Sequence, residues 1–199
     1  MIKDLNNLVK DYSESVKMAK KVYLQTKKYL EDTYNVNSSM YKKLMSEALN
    51  VYNEAKTELK KNAEEKLQSQ FSNIRKEVSD RVLAPQSKEL LDLLPMLKDG
   101  KIQGKTIDMI LEKYGSTYMN DLAIHDAINK PFKNSESLSE HIDQLENSVN
   151  RFIDTYEGQE ITAMSYQNAV LLNGAPFGYL EQEFNEFVTH YSTEGGDNM

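Results

Sequence analysis

Apolar residues recur along the first third of the chain at alternating steps of four and three. Leu5, Tyr12, Ala19 and Thr26 lie seven apart, and Val9, Val16, Tyr23 and Leu30 each come four residues later. Both sets therefore fall on one stripe of a helix, the pattern of a coiled-coil seam. Neither Gly nor Pro occurs between Met1 and Leu83, and the one break is Asn35 to Ser39. Asn and Ser compete for backbone hydrogen bonds outside helices, and Ser38 or Ser39 is placed to cap a second helix. The spacing predicts a helix over about residues 2–34 and another over about 39–83. A five-residue break suits an antiparallel hairpin; a kink in one continuous rod is the other form it allows.

The seam is not that of a simple zipper. Tyr12, Tyr23 and Thr26 are poor choices for a parallel dimer, so packing on a neighbouring helix is expected as readily. The second helix also changes period. Tyr41, Ala48 and Ala55 with Met45, Tyr52 and Leu59 keep heptads, whereas Ala63, Leu67, Phe71, Ile74, Val78 and Val82 advance mostly by four. Tyr41, Tyr52, Ala63 and Ile74 are eleven apart, a drift that relaxes left-handed supercoiling. The second helix is longer than the first. Its far end must meet either the C-terminal body or another subunit.

Ala84-Pro85 ends this arm, since a residue before Pro avoids the helical region. Short helices come next. One carries Leu90, Leu91, Leu93, Leu94 and Leu97, with Pro95 as a kink or a fresh start. Another, with Thr106 as cap, carries Ile107, Ile110, Leu111 and Tyr114 and stops at Gly115. A third runs from Ser116 or Thr117 to Pro131. Ser137 with Glu140 reads as a capping box opening a helix on which Leu138, Leu145 and Phe152 alternate with Ile142, Val149 and Tyr156, ended by Gly158. Thr162 to Asn173 reads as a further apolar segment, Asn173 to Gly178 as a turn cluster, and Leu180, Phe184, Phe187, Val188 and Tyr191 as a last helix. The fold class is all-α, a long N-terminal helical hairpin plus a body of shorter helices. Three segments are expected: an arm (1–83), a small helical core (84–131) and an acidic C-terminal segment (132–199).

Composition agrees with that pattern. The chain has 199 residues, 39% hydrophobic and 28% charged, with 4 Pro, 8 Gly and no Trp, which disfavours a turn-rich β fold. Charge is divided unevenly. Residues 1–83 hold 16 Lys+Arg against 12 Asp+Glu, and residues 84–199 hold 8 against 19, leaving a net charge of −7. A basic arm and an acidic body attract each other between subunits, or address two different partners. Lys17, Lys20, Lys21, Lys27 and Lys28 lie mostly off the seam and form a basic contact face. With no cysteine, disulfides and thiol chemistry are excluded. No stretch reads as a secretory signal or approaches the roughly 20 apolar residues of a membrane span, so a soluble intracellular protein without membrane partners is expected.

Candidate chemistry is sparse. His125, His141 and His190 are each isolated, without a nearby His, Cys or carboxylate at metal-ligand spacing. Gly100 and Gly104, like Gly174 and Gly178, lack the preceding strand of a phosphate loop. Acidic pairs such as Glu64-Glu65 fall on exposed helix faces. No catalytic residue, cofactor or metal ligand is assigned, and an enzyme is not expected. The 12 tyrosines, with Tyr12, Tyr23, Tyr41 and Tyr52 on the seams, suit half-wet helix interfaces.

The run from Leu94 to Ile124 (LPMLKDGKIQGKTIDMILEKYGSTYMNDLAI), behind a Lys/Glu/Tyr-rich coiled coil, resembles small helical proteins encoded in the structural gene modules of tailed phages and prophages of Gram-positive bacteria. The resemblance spans about residues 1–130. It rests on a basic coiled coil, a Leu-rich stretch with a Lys-Asp-Gly turn, a helix ending in Lys-Tyr, and a second short helix. It implies a scaffold-like role in the virion or its assembly, in the host cytoplasm or the particle, with no catalytic residues to carry over. Expected partners are other copies of the chain, as a homo-oligomer, and a capsid or portal protein. Leu67, Phe71, Ile74, Val78, Leu90, Leu94 and Leu97 are the expected contact residues. A phage effector that inhibits a host protein, its acidic body mimicking nucleic acid, is the alternative. Nucleic-acid binding by the basic face comes third, since the whole molecule is acidic.

Overall fold

The computed structural model describes residues 2–132, 136–158 and 176–191. Among them the protein is all-α: α1 (Ile2–Thr33), α2 (Ser39–Val82), α3 (Lys88–Lys98), α4 (Lys105–Tyr114), α5 (Tyr118–Ala127), α6 (Glu136–Thr155) and α7 (Pro176–His190). The apolar segment Thr162 to Asn173 lies outside the described residues. No described helix is long and apolar enough to cross a membrane.

The hairpin forms where the break predicts it. The Asn37 N–H donates to Asn35 Oδ1 (2.9 Å), and the Ser38 N–H donates to the Asn35 carbonyl (2.8 Å). Ser38 Oγ then accepts the Tyr41 N–H at 3.1 Å, satisfying one of the orphan donors of α2. Tyr23 and Tyr52 stack across the hairpin with centroids 5.2 Å apart.

The chain makes two compact units. One comprises Met1–Phe71 with Gln144–Phe177, the other Ser72–Asp143 with Gly178–Met199. This division cuts across the three segments expected from sequence. The arm is shared between the units through α2, and the C-terminal segment is shared through α6.

The first unit packs α1, the first part of α2 and the last part of α6 together. Leu5, Val9, Tyr12 and Val16 of α1 are buried, as are Ala63, Leu67 and Phe71 of α2 and Leu145, Val149, Phe152, Ile153 and Tyr156 of α6 and its end. The direction of α6 is set by its contacts. Tyr12 meets Ile153 and Tyr156, and Lys20 donates to the Glu157 carbonyl (2.9 Å), so α6 runs parallel to α1. Lys60 pairs with Asp154 at 2.7 Å and Lys56 pairs with Glu157, so α6 runs antiparallel to α2. Gly158 ends this contact at φ +66°, where an added Cβ would meet Val16 O and the Lys20 side chain at 3.2 Å. Only glycine meets both demands.

In the second unit α5 packs on α3 and α4. Leu90, Leu97, Ile110, Tyr114, Ile124 and Ala127 form a buried cluster, with Leu93, Leu94, Ile107 and Leu111 half-buried around it. The α3 helix runs through Pro95 without ending. Several predicted termini shift. The residue capping α4 is Gly104 at φ 61°, not Thr106, and α5 ends at Ala127, ahead of Pro131. The α6 helix begins at Glu136, so Ser137 sits inside its first turn rather than before it, and Pro176 opens α7 instead of lying in a turn. Pro suits a first helical position because the N–H it lacks would have no partner there.

Candidate functional site

The seven apolar positions expected to meet partner proteins fill the interior of the fold instead. Leu67, Phe71, Ile74, Val78, Leu90 and Leu97 are all buried, and Leu94 is half-buried against the α3–α5 cluster. The physical reason in the first unit is α6, whose own 4-3 stripe supplies the third helix that the stripe of α2 lacked. These residues hold the chain together and are not a surface.

Exposed apolar side chains lie elsewhere: Leu83, Leu91, Met96 and Met109 in the second unit, and a further set on the hairpin. Along α1 the seam residues Val16 and Leu30 are buried, whereas the face turned away from them is not. Met18 is 61% exposed, Val22 55% and Tyr29 63%, and Met40 and Val51 of α2 are also exposed. Met18, Lys21, Val22, Gln25, Lys28 and Tyr29 recur at three- and four-residue steps, so they share one face of α1, turned away from its seam. Of the basic face read from sequence, Lys21 and Lys28 lie on it and are exposed. Lys17 is half-buried, Lys20 is tied to Glu157, and Lys27 faces Glu31 at 3.8 Å.

A second feature belongs to the other unit. A cavity of about 1150 Å³ opens between α5, the start of α6 and α7. From α5 come Asp121 and His125, one helical turn apart. The segment before α6 gives Pro131 and Phe132, and α7 gives Glu181, Glu183, Glu186, Phe187 and His190, with Tyr191 behind them. His125 Nε2 is 3.6 Å and His190 Nε2 3.9 Å from the Asp121 carboxylate. Tyr191 donates its hydroxyl to Asp121 Oδ2 at 2.9 Å. His141 Nδ1 lies 2.9 Å from Glu183 Oε2.

All three histidines of the chain thus sit beside carboxylates of one region. Sequence reading missed this. The Asp121–His125 spacing of four was legible, whereas His141–Glu183 and His190–Asp121 join different helices and leave no trace in sequence.

The electrostatics are set by burial and neighbours. Asp121 and Glu183 keep 13% and 9% of their side chains exposed, so both carboxyls sit in a partly dry wall. Burial, reinforced by the bond to Asp121, raises the Tyr191 pKa, so Tyr191 stays a neutral donor. Among the described residues no Lys or Arg lines the cavity. No group of three or more His, Asp or Glu side chains among them is placed to hold a metal ion. Carboxylates beside aromatic walls suit a cationic head on an apolar stem, which gains both charge pairing and ring contact.

No protein-family model, curated protein or solved structure matches the chain.

Proposed function

We propose that this chain is a bacteriophage structural or assembly protein, without enzymatic activity, that works through protein–protein contacts. Its partners are other copies of itself and a capsid or portal protein. Its place is the host cytoplasm during assembly and, for a component that is retained, the particle. The observation that carries this reading is the face of α1 bearing Met18, Val22 and Tyr29. A long helix that leaves Met, Val and Tyr side chains in water over several turns has the apolar and aromatic content of a contact surface. The resemblance of residues 1–130 to phage structural-module proteins supplies the class of partner.

Co-expression with the major capsid protein of a tailed phage of a Gram-positive host tests the proposal. A scaffold-like protein changes the size or yield of the capsid assemblies, and Val22→Ser with Tyr29→Ser abolishes the change. Unaltered capsids, with a host enzyme captured and inhibited instead, overturn it in favour of a host-directed effector.

A further inference from the structure

We propose that the acidic, aromatic cavity of the second unit receives the basic, apolar face of α1 from a second copy of the chain, so that copies join head to tail. The inference rests on the protein-contact reading above and names the partner of one of its surfaces. Charge complementarity carries it. On the donor face Lys21 and Lys28 are exposed, and no acidic residue stands among Met18, Lys21, Val22, Gln25, Lys28 and Tyr29. The cavity presents Asp121, Glu181, Glu183 and Glu186 with no Lys or Arg among its described lining residues.

The chemistry matches in its apolar part as well. On the donor face, Val22 and Tyr29 stand beside Lys21 and Lys28. In the receiving cavity, Phe132 and Phe187 stand beside the carboxylates, so ring surface meets apolar surface while ammonium groups meet carboxylates. The two surfaces belong to different parts of the chain, so the contact is heterologous.

Charge reversal on each side, in the full-length chain, tests the contact. Lys21→Glu with Lys28→Glu reverses the donor face, and Glu181→Lys with Glu186→Lys reverses the cavity. These side chains are exposed or half-exposed, so thermal unfolding curves should stay close to wild type and serve as the folding control. Sedimentation velocity should show salt-sensitive association of the wild type. Each variant alone should associate at least about tenfold more weakly. An equimolar mixture should recover association, because each reversed surface then meets an opposite charge.

Variants that associate like wild type, a mixture that stays dissociated, or a wild type that is monomeric at high micromolar concentration would each overturn the proposal. Its failure is separable from failure of the assembly reading. Self-association indifferent to both reversals sinks only the cavity contact, whereas recovered association with capsids unaffected upholds the contact and sinks the capsid role.

Discussion

The Tyr12 hydroxyl donates to the carbonyl oxygen of Ile153 at 3.1 Å, joining residues 141 positions apart inside the first unit. Ile153 is in the last turn of α6, where carbonyls have lost their intrahelical donors. Tyr12 therefore does for the end of α6 what a capping residue does from within a helix. It also fixes where α6 lies along α1. Tyr12→Phe keeps the ring and leaves that carbonyl without its donor, so it should lower the unfolding free energy by about 1–2 kcal/mol. Urea unfolding followed by helical ellipticity checks this, with an unchanged slope and a lower midpoint expected.

Beside that bond, Tyr156 is almost wholly buried, and its pKa is pushed up to about 12, first by burial and then by the neighbouring Tyr12. The folded pKa lies above the ordinary value near 10, so the unfolded chain releases this proton first as pH rises. The stabilisation is fully present below pH 10 and is lost between pH 10 and about 12. Tyr156→Phe removes the titrating group. Its stability should fall less steeply than that of wild type across this window in an alkaline titration followed by ellipticity.

Leu67 and Phe71 are each only 1% exposed, in the region where α6 lies against α2. Leu67→Ala should cost about 2–5 kcal/mol and Phe71→Ala about 3–5 kcal/mol, through lost transfer energy and the cavity left behind. Because these side chains serve the interior of one chain, the loss should be the same at any protein concentration. Denaturation at two concentrations roughly a hundredfold apart gives the check, since only an interface responds to mass action. A loss that vanished at high concentration would place the residues between subunits.

What sequence reveals and what it hides divides along the range of the interactions. The 4-3 spacing of Leu5, Val9, Tyr12 and Val16, and that of Leu138, Ile142, Leu145 and Val149, is a property of single helices. Those residues are buried where the spacing puts them. Ser38 as cap of α2 is equally local. The pairing of stripes is not. Nothing in the spacing of Leu67, Phe71, Ile74 and Val78 says whether a later helix of the same chain or another subunit covers them, and in the first unit α6 does so. Predicted caps at Thr106 and Ser137 missed by one or two positions, because several Ser, Thr and Gly residues compete near each helix start. The cavity was hidden for the same reason as the pairing. Asp121, His141, Glu183 and His190 come from three helices, and only the packing of α5, α6 and α7 brings them to one region.

The proposed role places the working surface of this protein on the face of α1 that bears Met18, Val22 and Tyr29. Sedimentation equilibrium of the wild type and of a Val22→Ser/Tyr29→Ser variant, from low to high micromolar concentration, isolates that face. The wild type should shift to larger species with concentration, while the variant stays monomeric with an unchanged unfolding curve. A wild type that remains monomeric throughout, or a variant that associates just as the wild type does, would contradict it.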